Sequence, residues 1–217
     1  MQGLISDERG LMHKTLVTLV TAALAGLLAT VGTAASPQTV TISASRPSVV
    51  FGKSVTLSGK VSNAKAGENV SVLAQPFGTT AFASLATVQT VSGGHWSEVV
   101  KPTIETSYQA KWKSATSSTV SVKVRPLITL TLVSRATGSF STKVSAARSF
   151  AGKFVLVQRL TSTGVTTLKR VTLDANSAAS FRVRLHHGRS RLRVVMPTSQ
   201  TAPGYITGTS NVVTVVH

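Results

Sequence analysis

The stretch SVTLSGKVS, residues 54–62, alternates apolar and polar side chains one by one. Val55, Leu57 and Val61 fall on one side of such a segment, and the hydroxyl and ammonium groups between them fall on the other. A period of two residues is typical of a β-strand with one face in a core and the other in water. The stretch therefore predicts an antiparallel sheet that is packed on one face.

Similar runs recur about every ten residues through the first half of the chain, separated by Gly, Pro, Asn or Ser. The segments 63–67 and 92–94 are expected to form turns. Strands are predicted near residues 38–45, 53–62, 68–75, 83–91, 95–101, 106–113 and 117–125. Seven short strands with one-sided patterning indicate a β-sandwich.

The same pattern occurs a second time further along the chain. AGENVSV at residues 66–72 is matched by AGKFVLV at 151–157, and Trp96 and Phe181 each follow thirty residues after the opening alanine. A repeat of about 85 residues is the size of one small sandwich. We therefore expect an all-β chain with two tandem antiparallel sandwich domains, residues 36–126 and 127–217, packed end to end.

The second copy carries an insertion, residues 197–210, before its last strand. Because it contains Pro203-Gly204-Tyr205, we expect an ordered loop, with Tyr205 as an exposed contact residue. Trp96 and Trp112 fall on strand positions where a sandwich needs core residues, so both are predicted to be buried.

The N-terminus has the pattern of an export signal. Met12-His13-Lys14 is positive, residues 16–31 are almost uncharged and apolar, and residues 32–35 are small. A signal helix cleaved near Ala35 is predicted, which gives a secreted or cell-surface protein. An uncleaved membrane anchor is the alternative, although the apolar run is slightly short for spanning. Asp7 and Glu8 are unusual in such a segment, so translation starts at either Met1 or Met12.

The chain has no cysteine. Disulfide bonds and a lipid anchor on a cysteine at the cleavage site are therefore both excluded. Each domain must be stabilised by its hydrophobic core.

The runs SVTLSGKVS, AGENVSVLAQ, SGGHWSEVVKPT and TSYQAKW resemble those of bacterial extracellular immunoglobulin-like domains. The resemblance covers most of residues 38–125 and, more loosely, 127–217. It implies an immunoglobulin-like sandwich with a role in contact rather than catalysis. It also implies that Tyr108 closes the corner between the sheets through a hydrogen bond to the backbone. The second copy has Ser190-Arg191-Leu192 in that region and lacks the tyrosine.

Few side chains are available for catalysis or metal binding. After residue 35 the acids are Glu68, Glu98, Glu105 and Asp174, which fall in different predicted turns and strands. No serine lies in a G-x-S-x-G motif. His186-His187-Gly188 is interpreted as a solvated turn rather than a metal site. We therefore expect no catalytic residues, no metal and no cofactor.

Positive charge is the most prominent feature of the composition, with a formal net charge of +17. Residues 1–35 are neutral overall, so this charge belongs to the two domains. The first domain has nine basic and three acidic residues, and the second has twelve basic and one acidic residue. The second domain is therefore predicted to present the more cationic surface.

Arginines alternate with apolar residues in two runs of the second domain. If the apolar residues are buried, the arginines point outward. The predicted polyanion-binding residues are Arg182, Arg184, Arg189, Arg191 and Arg193, with Lys153, Arg159, Lys169 and Arg170 spreading the charge further. If the two runs form a hairpin, the five arginines form one patch. In an immunoglobulin-like fold the chain crosses between sheets here, and they lie on opposite outer faces.

Two explanations of this charge remain open. Arginine binds phosphate and carboxylate groups bidentately, which favours attachment to anionic cell-wall or other extracellular polymers. A basic surface also keeps an extracellular β-protein soluble and its edge strands unpaired. A carbohydrate-binding module or a small secreted hydrolase is the alternative from another class. Specific nucleic-acid recognition is not expected, because no reading helix, zinc module or RNA-binding motif is present.

Overall fold

Most of the alternating runs form strands in the computed structural model, which describes residues 37–185 and 187–216. The predicted signal helix of residues 1–35, together with His186 and His217, lies outside the described residues. The first nine strands are β1 (Ser43–Ala44), β2 (Ser48–Val50), β3 (Val55–Lys60), β4 (Asn69–Pro76), β5 (Ala83–Gln89), β6 (His95–Val100), β7 (Thr106–Trp112), β8 (Ala115–Thr116) and β9 (Val120–Arg125).

The remaining strands follow the same spacing. They are β10 (Leu127–Ser134), β11 (Ser139–Ser145), β12 (Phe154–Thr161), β13 (Gly164–Thr172), β14 (Ala178–Arg182), β15 (Arg189–Met196), β16 (Gly208–Thr209) and β17 (Val213–Val216). A 3-10 turn, Ser92–Gly94, precedes β6, and a short helix, α1 (Thr198–Thr201), follows β15. Both predicted turns, 63–67 and 92–94, lie between strands as expected.

Strands β1 to β9 form two sheets, here called the N-terminal sandwich. One sheet has the order β1-β3-β6 and the other β2-β9-β7-β4-β5, with β8 paired to β7. All ladders are antiparallel except that between β2 and β9, which is parallel. The strand predicted near 38–45 is shorter than expected: β1 and one isolated bridge, Val40 to Val61, take its place.

Strands β10 to β17 form a second pair of sheets, here called the C-terminal sandwich. One sheet is β10-β11-β14, and the other is β13-β12-β15, with β16 and β17 both paired to β15. The order β9-β7-β4-β5 thus reappears as β17-β15-β12-β13. For the described residues, the prediction of an all-β fold built of immunoglobulin-like sandwiches is confirmed. The division into separate domains at Pro126, between β9 and β10, remains a prediction.

Large side chains fill the space between the sheets of each sandwich. Trp96 lies directly opposite Gly59 in the ladder of β3 and β6, and a Cβ atom on Gly59 would be 2.7 Å from the indole nitrogen. At the corresponding place in the C-terminal sandwich, Phe181 stacks on Phe140 with 5.9 Å between ring centroids. Burying one such side chain contributes about 1.5–3 kcal/mol. Trp96 and Trp112 are both core residues, as predicted, at 3% and 2% exposure.

The insertion of residues 197–210 is ordered, as expected, and it contacts both sandwiches. Gly204 accepts a hydrogen bond from the N–H of Glu105 at 3.0 Å. The N–H of Ile206 donates to the carbonyl oxygen of Val124 at 3.0 Å, and the guanidinium of Arg125 donates to the carbonyl oxygen of Thr207 at 2.8 Å. Residues 202–207 thus link the end of β9 and the segment before β7 to the C-terminal sandwich. We call this contact region between the two sandwiches the junction.

The expectation that Tyr205 is exposed was wrong. Its side chain is only 2% exposed and packs edge-on against Phe150, with 5.8 Å between ring centroids. The tyrosine hydroxyl bonds to backbone groups of both sandwiches, so its polar atom keeps hydrogen-bond partners although the side chain is buried. The insertion therefore uses its aromatic ring for packing at the junction rather than for contact with a ligand.

Tyr108 is buried at 2% exposure in β7, between the sheets of the N-terminal sandwich. Burial raises the pKa of its phenol above the ordinary value. The neighbouring Thr106 hydroxyl donates to the carbonyl oxygen of Ile104 at 2.8 Å. Among the described residues, the Tyr108 hydroxyl makes no hydrogen bond to the backbone, unlike what the resemblance implied.

Candidate polyanion-binding surface

The five predicted arginines lie on two different sheets. Arg182 ends β14, which pairs with β11, and Arg184 follows two residues later. The other three occupy alternate positions of β15, which pairs with β12: Arg189, Arg191 and Arg193. The chain therefore crosses from one sheet to the other between the two runs, as the immunoglobulin-like interpretation predicts. The single patch that a hairpin would have formed is absent from the described residues.

Most of these arginine side chains face the solvent. Arg182, Arg184, Arg189 and Arg191 are exposed, since their apolar neighbours Phe181, Val183 and Leu192 are buried. Arg193 is half-buried, and its Nε donates to the amide oxygen of Gln158 at 2.9 Å. The alternation of the sequence thus places four of the five cations on the surface.

Two further cations join Arg182 and Arg184. A pocket of about 250 Å³ at the edge of the C-terminal sandwich is lined by Arg159, Leu168, Lys169, Arg182, Val183 and Arg184. We call this the cation pocket. Sequence reasoning treated Arg159 and Lys169 only as contributors to the overall charge. No sequence signal points to them, because only the strand order of the fold brings β13 and β14 together as edge strands of the two facing sheets.

Arg159 is the best-fixed member of the cation pocket. It lies directly opposite Leu192 in the ladder of β12 and β15, so its side chain starts on the inner face of the sheet. Its Nη2 donates to the carbonyl oxygen of Arg184 at 3.0 Å. Its Nε is buried without a partner among the described residues.

The outer face of the sheet of β15 presents the other arginines. Arg170 of β13 is exposed and lies over the ring of Phe154, with 3.4 Å from its guanidinium carbon to the ring centroid. Arg170 pairs with Leu156, and Leu156 pairs with Val195 of β15, so these side chains share one face. This face therefore carries cations separately from the cation pocket.

The only acid of residues 127–217 is used within a turn. Asp174 accepts hydrogen bonds at its Oδ1 from the N–H groups of Asn176 at 2.8 Å and Ala178 at 2.9 Å. Arg182 lies four residues beyond Ala178 on β14, about 13 Å along an extended strand. That distance exceeds the screening length of about 8 Å at physiological salt. The negative charge of Asp174 therefore offsets little of the positive charge of the cation pocket.

The acids of the N-terminal sandwich do not form a catalytic pair either. Glu68 accepts hydrogen bonds from the indole of Trp112 at 2.9 Å and the amide of Asn63 at 2.7 Å, with Lys113 at 3.4 Å. The hydrogen bond from Trp112, followed by that from Asn63 and the charge of Lys113, lowers the pKa of this carboxyl. Glu98 lies in β6, and Glu105 precedes β7. Because the partners of Glu68 are Trp112, Asn63 and Lys113 and neither of the other two glutamates, its role is structural.

The described residues offer neither a cluster of metal ligands nor an exposed aromatic platform. In residues 37–185 and 187–216, no three His, Asp or Glu side chains are placed to hold a metal ion. His187 lies in an exposed bend, as predicted, whereas His186 is outside the described part. Both tryptophans and both tyrosines are buried, so none presents a ring face on which a sugar could stack. Within the described residues, no helix is long and apolar enough to cross a membrane.

No protein-family model matches the chain, and no curated protein matches it. Among solved structures, it is similar to a tetra-tandem repeat in the extending region of a large adhesion protein, with 14% identity and a TM-score of 0.35. That alignment covers 82% of this chain and 49% of the other. The chain thus spans about half the length of that structure.

Two other solved structures are similar. A two-domain fibronectin type-III segment from chicken tenascin shares 13% identity with a TM-score of 0.40, over 80% of this chain and 95% of that one. A Salmonella alpha-2-macroglobulin mutant shares 15% identity with a TM-score of 0.32, over 82% of this chain and 16% of that one. With TM-scores below 0.5, these similarities carry no argument about function, and the fold assignment rests on the sheets described above.

Proposed function

We propose that this chain is an exported, non-enzymatic structural or adhesion protein that attaches to anionic extracellular polymers through its C-terminal sandwich. The observation that carries the proposal is the charge of that sandwich. Residues 127–217 contain twelve basic residues and one acid, and that acid is hydrogen-bonded within a turn. Exposed cations without acidic partners attract a polyanion and release its counterions on binding.

The arrangement on two faces suits a long, flexible polymer better than a compact ligand. Arg182 and Arg184 lie at one edge of the sandwich, and Arg189 and Arg191 lie on β15 of the other sheet. A polymer that wraps around the sandwich would reach both sites. Arginine favours such contacts because its planar guanidinium forms paired hydrogen bonds with phosphate or carboxylate.

Binding to immobilised polyphosphate at a series of salt concentrations tests the proposal. We expect a variant with Arg182, Arg184, Arg189 and Arg191 all changed to Gln to bind more weakly and with a shallower salt dependence. The matched control changes four exposed lysines of the N-terminal sandwich to Gln: Lys53, Lys65, Lys111 and Lys123. Both variants lose the same formal charge.

The comparison separates attachment from simple solubility. If the arginine variant loses more affinity than the lysine variant, the C-terminal sandwich is the attachment surface. Equal losses would mean that the charge acts only through its total, which contradicts the proposal. The export part is tested separately by N-terminal sequencing of the protein recovered outside the cell, where a start near Ser36 is expected.

A carbohydrate-binding module and a secreted hydrolase are weaker alternatives. The buried tryptophans offer no stacking platform, and the described acids are used in a turn, in the Glu68 cluster or on separate elements. Retention on neutral polysaccharide at high salt would favour the carbohydrate alternative over ours.

A further inference from the structure

We infer that the cation pocket is a discrete binding site for a tetrahedral oxyanion, the phosphate or sulfate group of an ester-linked polymer. This inference rests on the proposed function and assigns it a specific site. It concerns Arg159, Lys169, Arg182 and Arg184, which the fold brings together from three strands and the segment after β14.

The shape of the pocket separates it from a diffuse basic surface. Arg159 reaches it from β12, Lys169 from β13, and Arg182 and Arg184 from the end of β14. The four cations therefore line one open depression of about 250 Å³, although they come from different strands. Four like charges around one space repel each other, and a bound anion relieves that repulsion.

Arg159 supplies a second, independent observation. Its Nη2 is held by the carbonyl oxygen of Arg184, which fixes the guanidinium in the pocket wall. Its Nε–H is buried and has no acceptor among the described residues. A buried donor without a partner costs free energy, typically about 1–3 kcal/mol. Because this N–H is closed to solvent, an oxyanion in the pocket would bond to it only after a shift of the Arg159 guanidinium.

The geometry favours a tetrahedral group over a carboxylate. A carboxylate offers two oxygens in one plane, whereas a phosphate or sulfate offers oxygens in several directions at once. Cations approaching from three strands can each bond to a different oxygen of a tetrahedral group. Leu168 and Val183 add an apolar part to the wall, against which the carbon atoms of an ester would pack.

Nuclear magnetic resonance of protein labelled with nitrogen-15 arginine tests this site directly. Inorganic phosphate, inorganic sulfate and acetate are titrated separately at one constant ionic strength. We expect phosphate and sulfate to shift the Nε–H resonance of Arg159 saturably, and acetate to leave it in place. The relative size of the phosphate and sulfate effects identifies which of the two esters the pocket prefers.

Two charge-matched variants locate the effect. Arg182→Gln with Arg184→Gln removes two side chains of the pocket but keeps the Arg184 carbonyl that holds Arg159. We expect this variant to weaken phosphate binding at least about tenfold, since two charge-assisted hydrogen bonds are lost. Arg189→Gln with Arg191→Gln removes the same charge from β15, and there we expect the Arg159 shift to persist.

The outcomes distinguish this inference from the proposed function. Equal shifts with acetate, or equal weakening by the two variants, would overturn the pocket while leaving polyphosphate attachment intact. A saturable phosphate shift at Arg159 in a protein that fails to bind polyphosphate would support the pocket and overturn the attachment proposal. An unfolded double variant would be recognised by its circular dichroism. In that case the single variant Lys169→Gln serves as the pocket probe, with at least a threefold loss expected.

Discussion

Tyr205 donates a hydrogen bond from its hydroxyl to the carbonyl oxygen of Thr103, 2.7 Å away and 102 residues earlier in the chain. The same hydroxyl accepts a hydrogen bond from the N–H of Ala147 at 3.1 Å. One buried side chain thus joins a loop of the N-terminal sandwich to a loop of the C-terminal sandwich. The junction is therefore held by directed hydrogen bonds as well as by apolar packing.

Removal of the Tyr205 hydroxyl should weaken the coupling of the two sandwiches. We expect Tyr205→Phe to lower the free energy of unfolding by about 1–3 kcal/mol, because two hydrogen bonds are lost. Both tryptophans lie in the N-terminal sandwich, so their fluorescence reports that half, whereas circular dichroism reports both. In urea, the two signals should change together in the parent protein and separate in the variant.

The control for this experiment is Tyr108→Phe, which removes a hydroxyl within the N-terminal sandwich. It should leave the two signals coincident, because it does not touch the contact between the sandwiches. Coincident transitions in Tyr205→Phe, at an unchanged midpoint, would show that the junction hydrogen bonds contribute nothing.

Gly138 allows close approach of two backbone segments beside the cation pocket. It has a φ of +60°, and a Cβ atom there would overlap the carbonyl oxygen of Val183. Gly152 has a φ of +74° with open space around it. Both alanine variants should lose about 1–2 kcal/mol of folding stability, because an alanine is strained in the left-handed backbone conformation. Gly138→Ala should lose clearly more in thermal unfolding, because the overlap adds to that cost, and similar losses would contradict this account.

Acid should destabilise the N-terminal sandwich through Glu68. The hydrogen bond from Trp112 and its other partners hold the pKa of this carboxyl below 4.5, so the ionised form stabilises the fold. That stabilisation is fully present above the unfolded pKa and is lost as the pH falls through the lower folded pKa. We expect the parent protein to lose stability in this range.

Glu68→Gln removes this titration and should flatten the acid limb of the stability curve measured by urea unfolding. Glu98→Gln, the same change on β6 away from Glu68 and its partners, is the matched control against which this flattening is compared. An acid limb unchanged by Glu68→Gln would contradict the assignment.

Strong alkali should unfold the protein as its tyrosines ionise. Burial raises the pKa of both Tyr205 and Tyr108 above the ordinary value of 10.0. A raised folded pKa gives stability that is present below the unfolded value and lost as the pH rises through the folded one. The phenolate absorbance should therefore appear together with loss of circular dichroism. Ionisation of either tyrosine at its ordinary pKa in a still folded protein would contradict its burial.

Much of the architecture could be derived from local alternation. The run of residues 54–62 became β3 with Val55 and Leu57 buried, and the matching motifs at 66 and 151 lead into β4 and β12. The outward direction of Arg182 and Arg191 follows from the same period of two. These features were predictable because a side chain's face on a strand depends only on its position relative to its neighbours.

Two features were decided by tertiary structure alone. The cation pocket needs Arg159 and Arg182, which lie on strands of different sheets, and Tyr205 is buried by groups near residues 103 and 147. The alternation of apolar and polar residues predicts which face of a strand a side chain is on, but it does not predict which side chains of other strands that face packs against. That depends on which edge strands face each other and where an insertion folds back, and both are set by the packing of segments far apart in the chain.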